Sequence, residues 1–283
     1  MMGDIKMKPL GALQIKELQQ IYEHEVPYAS HVNSLFLTYF KWKRSHPERD
    51  DLNFYGLDDD WKKSGTFLLL FRQFDIFMFT LDKTGEDLLA LLNDSKCLKI
   101  ASDTWNNPVI YGIRNEHLPP IHECLRCHKV PIKAIFDNKL FYLPKEEALK
   151  FEIICPDEVY IDKLNVSYID LLCSLWPYSF PGVEEYLSCF IEMNHGYGVF
   201  LKENRRLVSW VLQDYWGVLI VLETVPEFKR KGYGSLIVKK MCVEVAKEGI
   251  NPMCTIVNKN HISKGLFLKL GFQCIGDCTY LCL

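Results

Sequence analysis

Apolar residues recur at helical spacing in two opening segments, Leu13 to His24 and Tyr28 to Lys43, and predict a pair of helices. The polar run that follows, Ser45 to Gly65, contains Pro47 and the acidic triplet Asp58, Asp59, Asp60, and reads as a surface loop. Next comes TFLLLFRQFDIFMFTL, Thr66 to Leu81, the most apolar stretch of the chain. Arg72, Gln73 and Asp75 interrupt it too early for a membrane span of about 20 residues, so it predicts a buried β-hairpin. A short helix near Glu86 to Leu92, a helix around Pro120 to Cys127 and a strand from Ile132 to Tyr142 complete the first half. The second half predicts a strand at Phe151 to Ile154 and helices at Tyr160 to Trp176 and Val183 to Met193. Strands at Tyr197 to Leu201, Leu207 to Gln213 and Val218 to Val225 follow, and then helix, strand, helix, strand. Strands that alternate with helices imply a mixed α/β sheet covered on its faces.

The charged stretch LPKEEALKF, near Leu143 to Glu147, marks a boundary and divides the chain into 1–145 and 146–283. Each part offers two helices before a run of strands, which reads as two related α/β domains. A length of 283 residues with 48% hydrophobic and 24% charged residues suits two ordinary cores and excludes disordered or collagen-like chains. A net charge of -3 excludes a global positive field, and with it nucleic acid or an anionic membrane as the evident partner. Eleven cysteines, an odd number, and an opening MMGDIKMKPLGALQ without an apolar core read as reduced thiols in a cytoplasmic compartment, the mitochondrial matrix being left open.

Within that weakly acidic chain one segment concentrates positive charge. VLETVPEFKRKGYGSL, Val221 to Leu236, lies between an apolar strand and a helix. Gly232 and Gly234 allow backbone conformations closed to other residues, and Lys229, Arg230 and Lys231 stand just before the first turn of the helix. Free N–H groups, the positive end of the helix dipole and three cations make a compact pyrophosphate site. A second segment, NKNHISKGLFLKLGF from Asn258 to Phe272, places Asn260 before a helix and closes it with Gly271-Phe272.

Together these segments resemble the GNAT superfamily of N-acyltransferases, whose motifs read R/Q-x-x-G-x-G/A and N-x-x-A-x-x-L-Y-x-x-x-G-F. Lys229, Arg230, Lys231, Gly232, Tyr233 and Gly234 match the first, and Asn260, Ser263, Leu266, Phe267, Gly271 and Phe272 match the second. More narrowly, Leu164 to Trp176 and the TVPEFK segment, Thr224 to Lys229, are similar to the glycine N-acyltransferase-like family. The resemblance covers the last 120 or so residues and implies an amino-terminal domain of similar size, while the shared element order suggests that the first domain is a degenerate GNAT-like copy without the motifs. It implies acetyl-CoA or another acyl-CoA bound between two splayed strands, with no metal. Thr224 and Val225 then hold the pantetheine by their backbone, while Lys229 to Ser235, Ser235 included, hold the phosphates. Asn260, Ser263 and Phe267 complete the cofactor side, and the acceptor is a small amine, glycine or another amino acid.

Acyl transfer to an amine needs a base, an oxyanion donor and relief of the departing thiolate. Glu223 is the only ionisable side chain in VLIVLETV and is the candidate base, its carboxyl raised by burial. The glycine-conjugating enzymes place a catalytic glutamate nearer the start of this strand, where this chain has Val218. Phe267 stands where many GNAT proteins have a proton-donating tyrosine, which leaves Tyr233, Ser263 or water for that task. These two departures give weight to the alternative, a non-catalytic acyl-CoA-binding or interaction protein. Cys124, Cys127 and His128 match a metal or haem spacing without a second pair, and Cys274, Cys278 and Cys282 read as core residues on one face of the final strand. The oligomeric state is not legible.

Overall fold

The computed structural model describes residues 7–58 and 61–283; the acidic pair Asp59–Asp60 and the start of the chain with Asp4 lie outside the described residues. The chain forms two compact units, residues 1–139 with Ile275–Leu283, and residues 140–274.

The first unit runs β1 (Met7–Pro9), α1 (Ala12–Tyr22), α2 (Ser30–Ser45), β2 (Leu52–Leu57), α3 (Trp61–Ser64), β3 (Phe67–Phe71), β4 (Asp75–Phe79), α4 (Glu86–Ser95), α5 (Cys97–Thr104), β5 (Val109–Ile113), α6 (Leu118–Cys127) and the start of β6 (Ala134–Tyr142). The buried hairpin is there: β3 and β4 pair antiparallel from Phe67↔Phe79 to Phe71↔Asp75. Phe67, Leu68 and Leu69 are all fully buried, so both faces of this sheet are covered. The surface loop expected over Ser45 to Gly65 is corrected, because it contains β2 and α3. Leu52 and Phe54 alternate with Asn53 and Tyr55 at period two and pair with β3, a pattern obscured by the flanking aspartates. After β4 the chain crosses over through α4 and α5 and returns in β5, parallel to β4 from Asp75↔Val109 to Phe77↔Tyr111.

The second unit begins with the end of β6 and continues with α7 (Lys145–Ala148), β7 (Val159–Lys163), α8 (Ile169–Leu175), α9 (Val183–Met193), β8 (Gly196–Leu201), β9 (Leu207–Gln213), β10 (Val218–Thr224), α10 (Tyr233–Lys247), β11 (Met253–Val257), α11 (His261–Lys269) and β12 (Gln273–Cys282). Two expectations fail at its start. Phe151 to Ile154 is not a strand, and the helix expected over Tyr160 to Trp176 is a strand followed by a shorter helix. Val159 to Lys163 pairs with β8 from Val159↔Leu201 to Lys163↔Tyr197. Asn165 then starts a new turn by accepting the N–H of Ser167 at 2.9 Å, which separates strand from helix. β9 is buried along its whole length and is flanked by β8 and β10, both antiparallel to it.

β12 shows why a linear boundary at 145/146 differs from the spatial division. Its residues from Ile275 onward belong to the first unit, where Thr279, Leu281 and Cys282 pair with Ile113, Ile110 and Val109 of β5. Leu281 and Leu283 are fully buried in the apolar cluster of Leu88, Leu91, Ile110 and Ile121. The single buried cysteine face that the four-residue spacing suggested is not found. Cys278 is buried, Cys274 exposed and Cys282 intermediate.

Candidate active site

β10 and β11 run parallel but pair only at Val218↔Met253 and Leu219↔Cys254. On its other edge β10 stays paired with β9 through Thr224↔Ser209, with an irregularity between Ile220 and Glu223. Three steps along β10 there match two along β9, from Leu212 to Trp210, which is a β-bulge. Val221 sits in it at φ +52°, a left-handed conformation that a β-branched residue rarely adopts. A bulge leaves backbone polar groups outside the ladder, and here it falls where the β11 edge of β10 has become free. Leu222, Glu223 and Thr224 are all partly exposed along this edge, whereas Val218 and Leu219 are buried.

Each residue singled out in the sequence has a definite place. Glu223 is half-buried; burial pushes its carboxyl above the ordinary carboxylate range, with Lys229 and the Thr224 N–H opposing in part. Its cross-strand partner is Trp210, so both side chains stand on the same face of the sheet. Ser209 fixes the strand end: its hydroxyl donates to the Glu223 carbonyl oxygen at 2.9 Å and lies 2.8 Å from Thr224 Oγ1. Val225 is buried and its N–H donates to the Val208 carbonyl at 2.9 Å, so β10 stays anchored to β9 up to the loop.

The loop then turns through Pro226–Phe228, Arg230 at φ +65° and Gly232 at φ +86° into α10. No side chain caps this helix at Gly232. Its first-turn N–H groups, those of Tyr233, Gly234 and Ser235, are therefore free of the intrahelical ladder. A Cβ on Gly232 would enter open space, and one on Gly234 would come within 3.5 Å of Thr224 Oγ1. Lys229, Arg230 and Lys231 are exposed beside these N–H groups, and Lys231 lies 5.1 Å over the Phe228 ring. Among the described residues no side chain caps this helix N-terminus, and three cations precede it in the loop.

Two side chains are placed otherwise than a proton-donor role requires. The Tyr233 hydroxyl donates to Glu158 Oε1 at 2.8 Å, and burial together with that carboxylate raises its pKa. Its ring is 2% exposed and stacks on Phe228 of the loop, with centroids 6.5 Å apart. Phe267 is 3% exposed and packs edge-on against Phe272 at 5.0 Å, a core position on α11. Asn260 caps α11 by accepting the Ser263 N–H at 3.1 Å while remaining exposed. Sequence reasoning missed Glu158, Ser209 and Trp210, which brace Tyr233, Thr224 and the Glu223 face; nothing in their local patterns marks them. The Cys124–His128 pattern has no common focus: Cys124 is in the core, Cys127 bonds Glu123, and His128 faces Asn93 Oδ1 at 3.2 Å.

The first unit repeats the strand, crossover and parallel strand of this site with the opposite charge. Asp82, after β4, accepts the N–H and hydroxyl of Thr84 at 2.9 and 2.8 Å and the N–H of Asp87 at 3.2 Å, at the start of α4. Burial alone would raise the Asp82 carboxyl, but these donors hold it below its usual value. The helix start that is uncapped in the second unit is met by a carboxylate here.

Residues 196–281 match the family model described as FR47-like protein, and residues 7–123 match a domain of unknown function, DUF5645. Among solved structures, a tandem GNAT protein from the clavulanic acid biosynthesis pathway superposes with a TM-score of 0.62 at 11% identity, covering 99% of this chain and 98% of that one. The fold is that of a tandem GNAT protein. The structure of a Drosophila melanogaster protein superposes with a TM-score of 0.87 at 21% identity, covering 99% of both chains. A GCN5-related N-acetyltransferase from Sphaerobacter thermophilus gives 0.56 at 8% identity, covering 99% of this chain and 96% of that one. No curated protein matches the sequence.

Proposed function

We propose that the second unit is an acyl-CoA-dependent N-acyltransferase that moves an acyl group from a coenzyme A thioester to a small amine. The observation that carries this reading is the parting of β10 from β11 just ahead of an uncapped, cation-ringed helix start. A free strand edge pairs with the two amides of a pantetheine arm much as it would with an added strand. Thr224 and Val225 lie on that stretch, and the loop from Lys229 to Ser235 supplies N–H groups and charge for the pyrophosphate. Asn260 and Ser263 on α11 are assigned to the same ligand, Asn260 through the amide nitrogen that its capping bond leaves over. Phe267 supports this side from the core.

Unpaired N–H groups of the bulge around Val221 are suited to polarise the thioester carbonyl. Glu223, with its raised carboxyl pKa, accepts the proton of the attacking ammonium group, directly or through water. The amine nitrogen then bonds to the carbonyl carbon, the carbon–sulfur bond breaks and the sulfur leaves as thiolate. Phe267 has no proton to give and Tyr233 is committed to Glu158, so water or Ser263 returns the proton. The resemblance of Thr224 to Lys229 to the glycine N-acyltransferase-like segment supports glycine or another amino acid as acceptor. Coenzyme release measured with acetyl-CoA and longer acyl-CoAs against a panel of amino acids, arylalkylamines and polyamines tests this. Release no faster than without protein across the whole panel sinks it.

The core placement of Phe267 and the Tyr233–Glu158 bond favour one second reading, a protein that binds acyl-CoA without turning it over. A thermal shift with acyl-CoA that is never accompanied by release would select it.

A further inference from the structure

Among the described residues the first unit buries polar atoms that have no hydrogen-bond partner, a condition folded proteins keep rare. Two of these atoms sit one turn apart. Arg114 directly follows β5, and His117 ends the 3₁₀ turn Asn115–His117, its N–H returning to the Arg114 carbonyl at 2.9 Å. Arg114 is the N-cap of that turn, in extended backbone, and its charge acts on the His117 ring; the two rings they contact, Tyr28 and Phe79, touch each other at 5.8 Å. They are 6% and 2% exposed.

Their proton inventory is fixed by their neighbours. His117 Nε2 lies 3.1 Å from the Thr80 carbonyl oxygen, which can only accept, so Nε2 carries the proton. Burial holds the ring below its usual pKa, outweighing Glu116 and the Thr80 carbonyl, and Arg114 adds to the lowering. The neutral ring thus presents Nδ1 as a bare acceptor with no donor. Arg114 Nη2 donates to the Ile275 carbonyl at 2.8 Å, its guanidinium lies 5.2 Å over the Tyr28 ring, and Nη1 has no acceptor. Gly276, at φ +126°, keeps room for this group, since a Cβ there would come within 2.6 Å of Nη2. Glu116 feels the Arg114 charge, but its Oε1 is taken by the Tyr28 hydroxyl at 2.5 Å. Phe79 walls the pair, 4.6 Å from the His117 ring and 5.1 Å from that of His31, which burial also keeps neutral.

A buried cationic donor beside a buried neutral acceptor is complementary to a molecule that carries a carboxylate and a donor together. A pyrophosphate is the wrong ligand, because Asp82 fills the helix start that would hold it. We propose that Arg114 and His117 form a second binding site, in the first unit, for a small carboxylic acid bearing an α-amino or α-hydroxyl group. The carboxylate meets Arg114 Nη1, and the amino or hydroxyl group donates to His117 Nδ1. This site does not depend on acyl transfer in the second unit and stands or falls separately.

The test is nitrogen NMR of the ¹⁵N-histidine-labelled full chain carrying E223Q, so that no turnover intervenes, with glycine, glycolate, acetate and methylamine as probes. The free protein should show His117 as the Nε2–H tautomer. Glycine or glycolate should move the Nδ1 resonance saturably, acetate at least tenfold more weakly, and methylamine not at all. Arg114→Lys should weaken binding at least tenfold, and His117→Phe should remove the preference for glycolate over acetate, read by thermal shift. An Nδ1 resonance that no probe moves overturns the site and leaves an ordered water as the partner. Thermal shifts that persist undiminished in both variants overturn it equally, by placing the ligand elsewhere.

Discussion

Glu223 is where burial and chemistry meet. Its carboxyl is raised by burial, so the folded state holds the proton more tightly than the unfolded chain. Stability is therefore untouched at pH below the unfolded value and is lost as pH rises from there through the folded one. Glu223→Gln removes that penalty, and its melting temperature at pH 7.5 should equal or exceed the parent's, by calorimetry, while acyl transfer falls by about 10²-fold or more. The parent rate should rise with pH through the same ionisation. Val221 gives a second residue-scale test. Its left-handed φ of +52° costs about 1–2 kcal/mol, so Val221→Gly should destabilise by that much less than Val208→Gly on regular β9, in urea melts. The sequence made Glu223 and the loop glycines legible because they stand alone in their surroundings. Glu158, which holds the Tyr233 hydroxyl, lies 75 residues away in an irregular segment, and no local pattern reveals such a bond.

Among elements, α10 does what its sequence promised, since Gly232 is in the left-handed region and no side chain competes for the first turn. Gly232→Ala should cost about 1–2 kcal/mol of stability and lower acetyl-CoA affinity at least tenfold by calorimetry, with the binding becoming less salt-sensitive if the loop is displaced. Strongly periodic elements such as α2, β3 and α9 were readable directly. β2 was not, because the face of Leu52 and Phe54 continues with Gly56, the opposite face starts with Asn53, and aspartates crowd its start. β7 failed for a related reason: VYIDK carries its apolar groups at spacings that also fit the helix following Asn165. Pairing with β8 decided between the two, and pairing is a non-local fact.

At the scale of the molecule, the last strand carries most of what the sequence could not disclose. Ile275–Leu283 belongs to the first unit, and its Cys278, Leu281 and Leu283 are fully buried there. Deleting these residues should unfold the first unit, seen as loss of amide protection in β3, β4 and β5, because β5 loses one of its two partner strands and the Leu88–Ile121 cluster its cover. Acid should reach the same unit. Burial holds His31 and His117 below the ordinary 6.5, so the folded state takes up fewer protons than the unfolded one. Stability should be full above that pH and fall as pH drops below it, measured as melting temperature between pH 8 and 5 at constant salt. Neither effect touches the loop before α10, where the central claim lies. That claim is tested most directly by mass spectrometry of the acceptor after incubation with saturating acyl-CoA, comparing the parent with Glu223→Gln at matched acyl-CoA affinity. The account predicts an acylated amine with the parent and next to none with the variant. An acceptor acylated equally fast by both, or by neither across the amine panel, would contradict it.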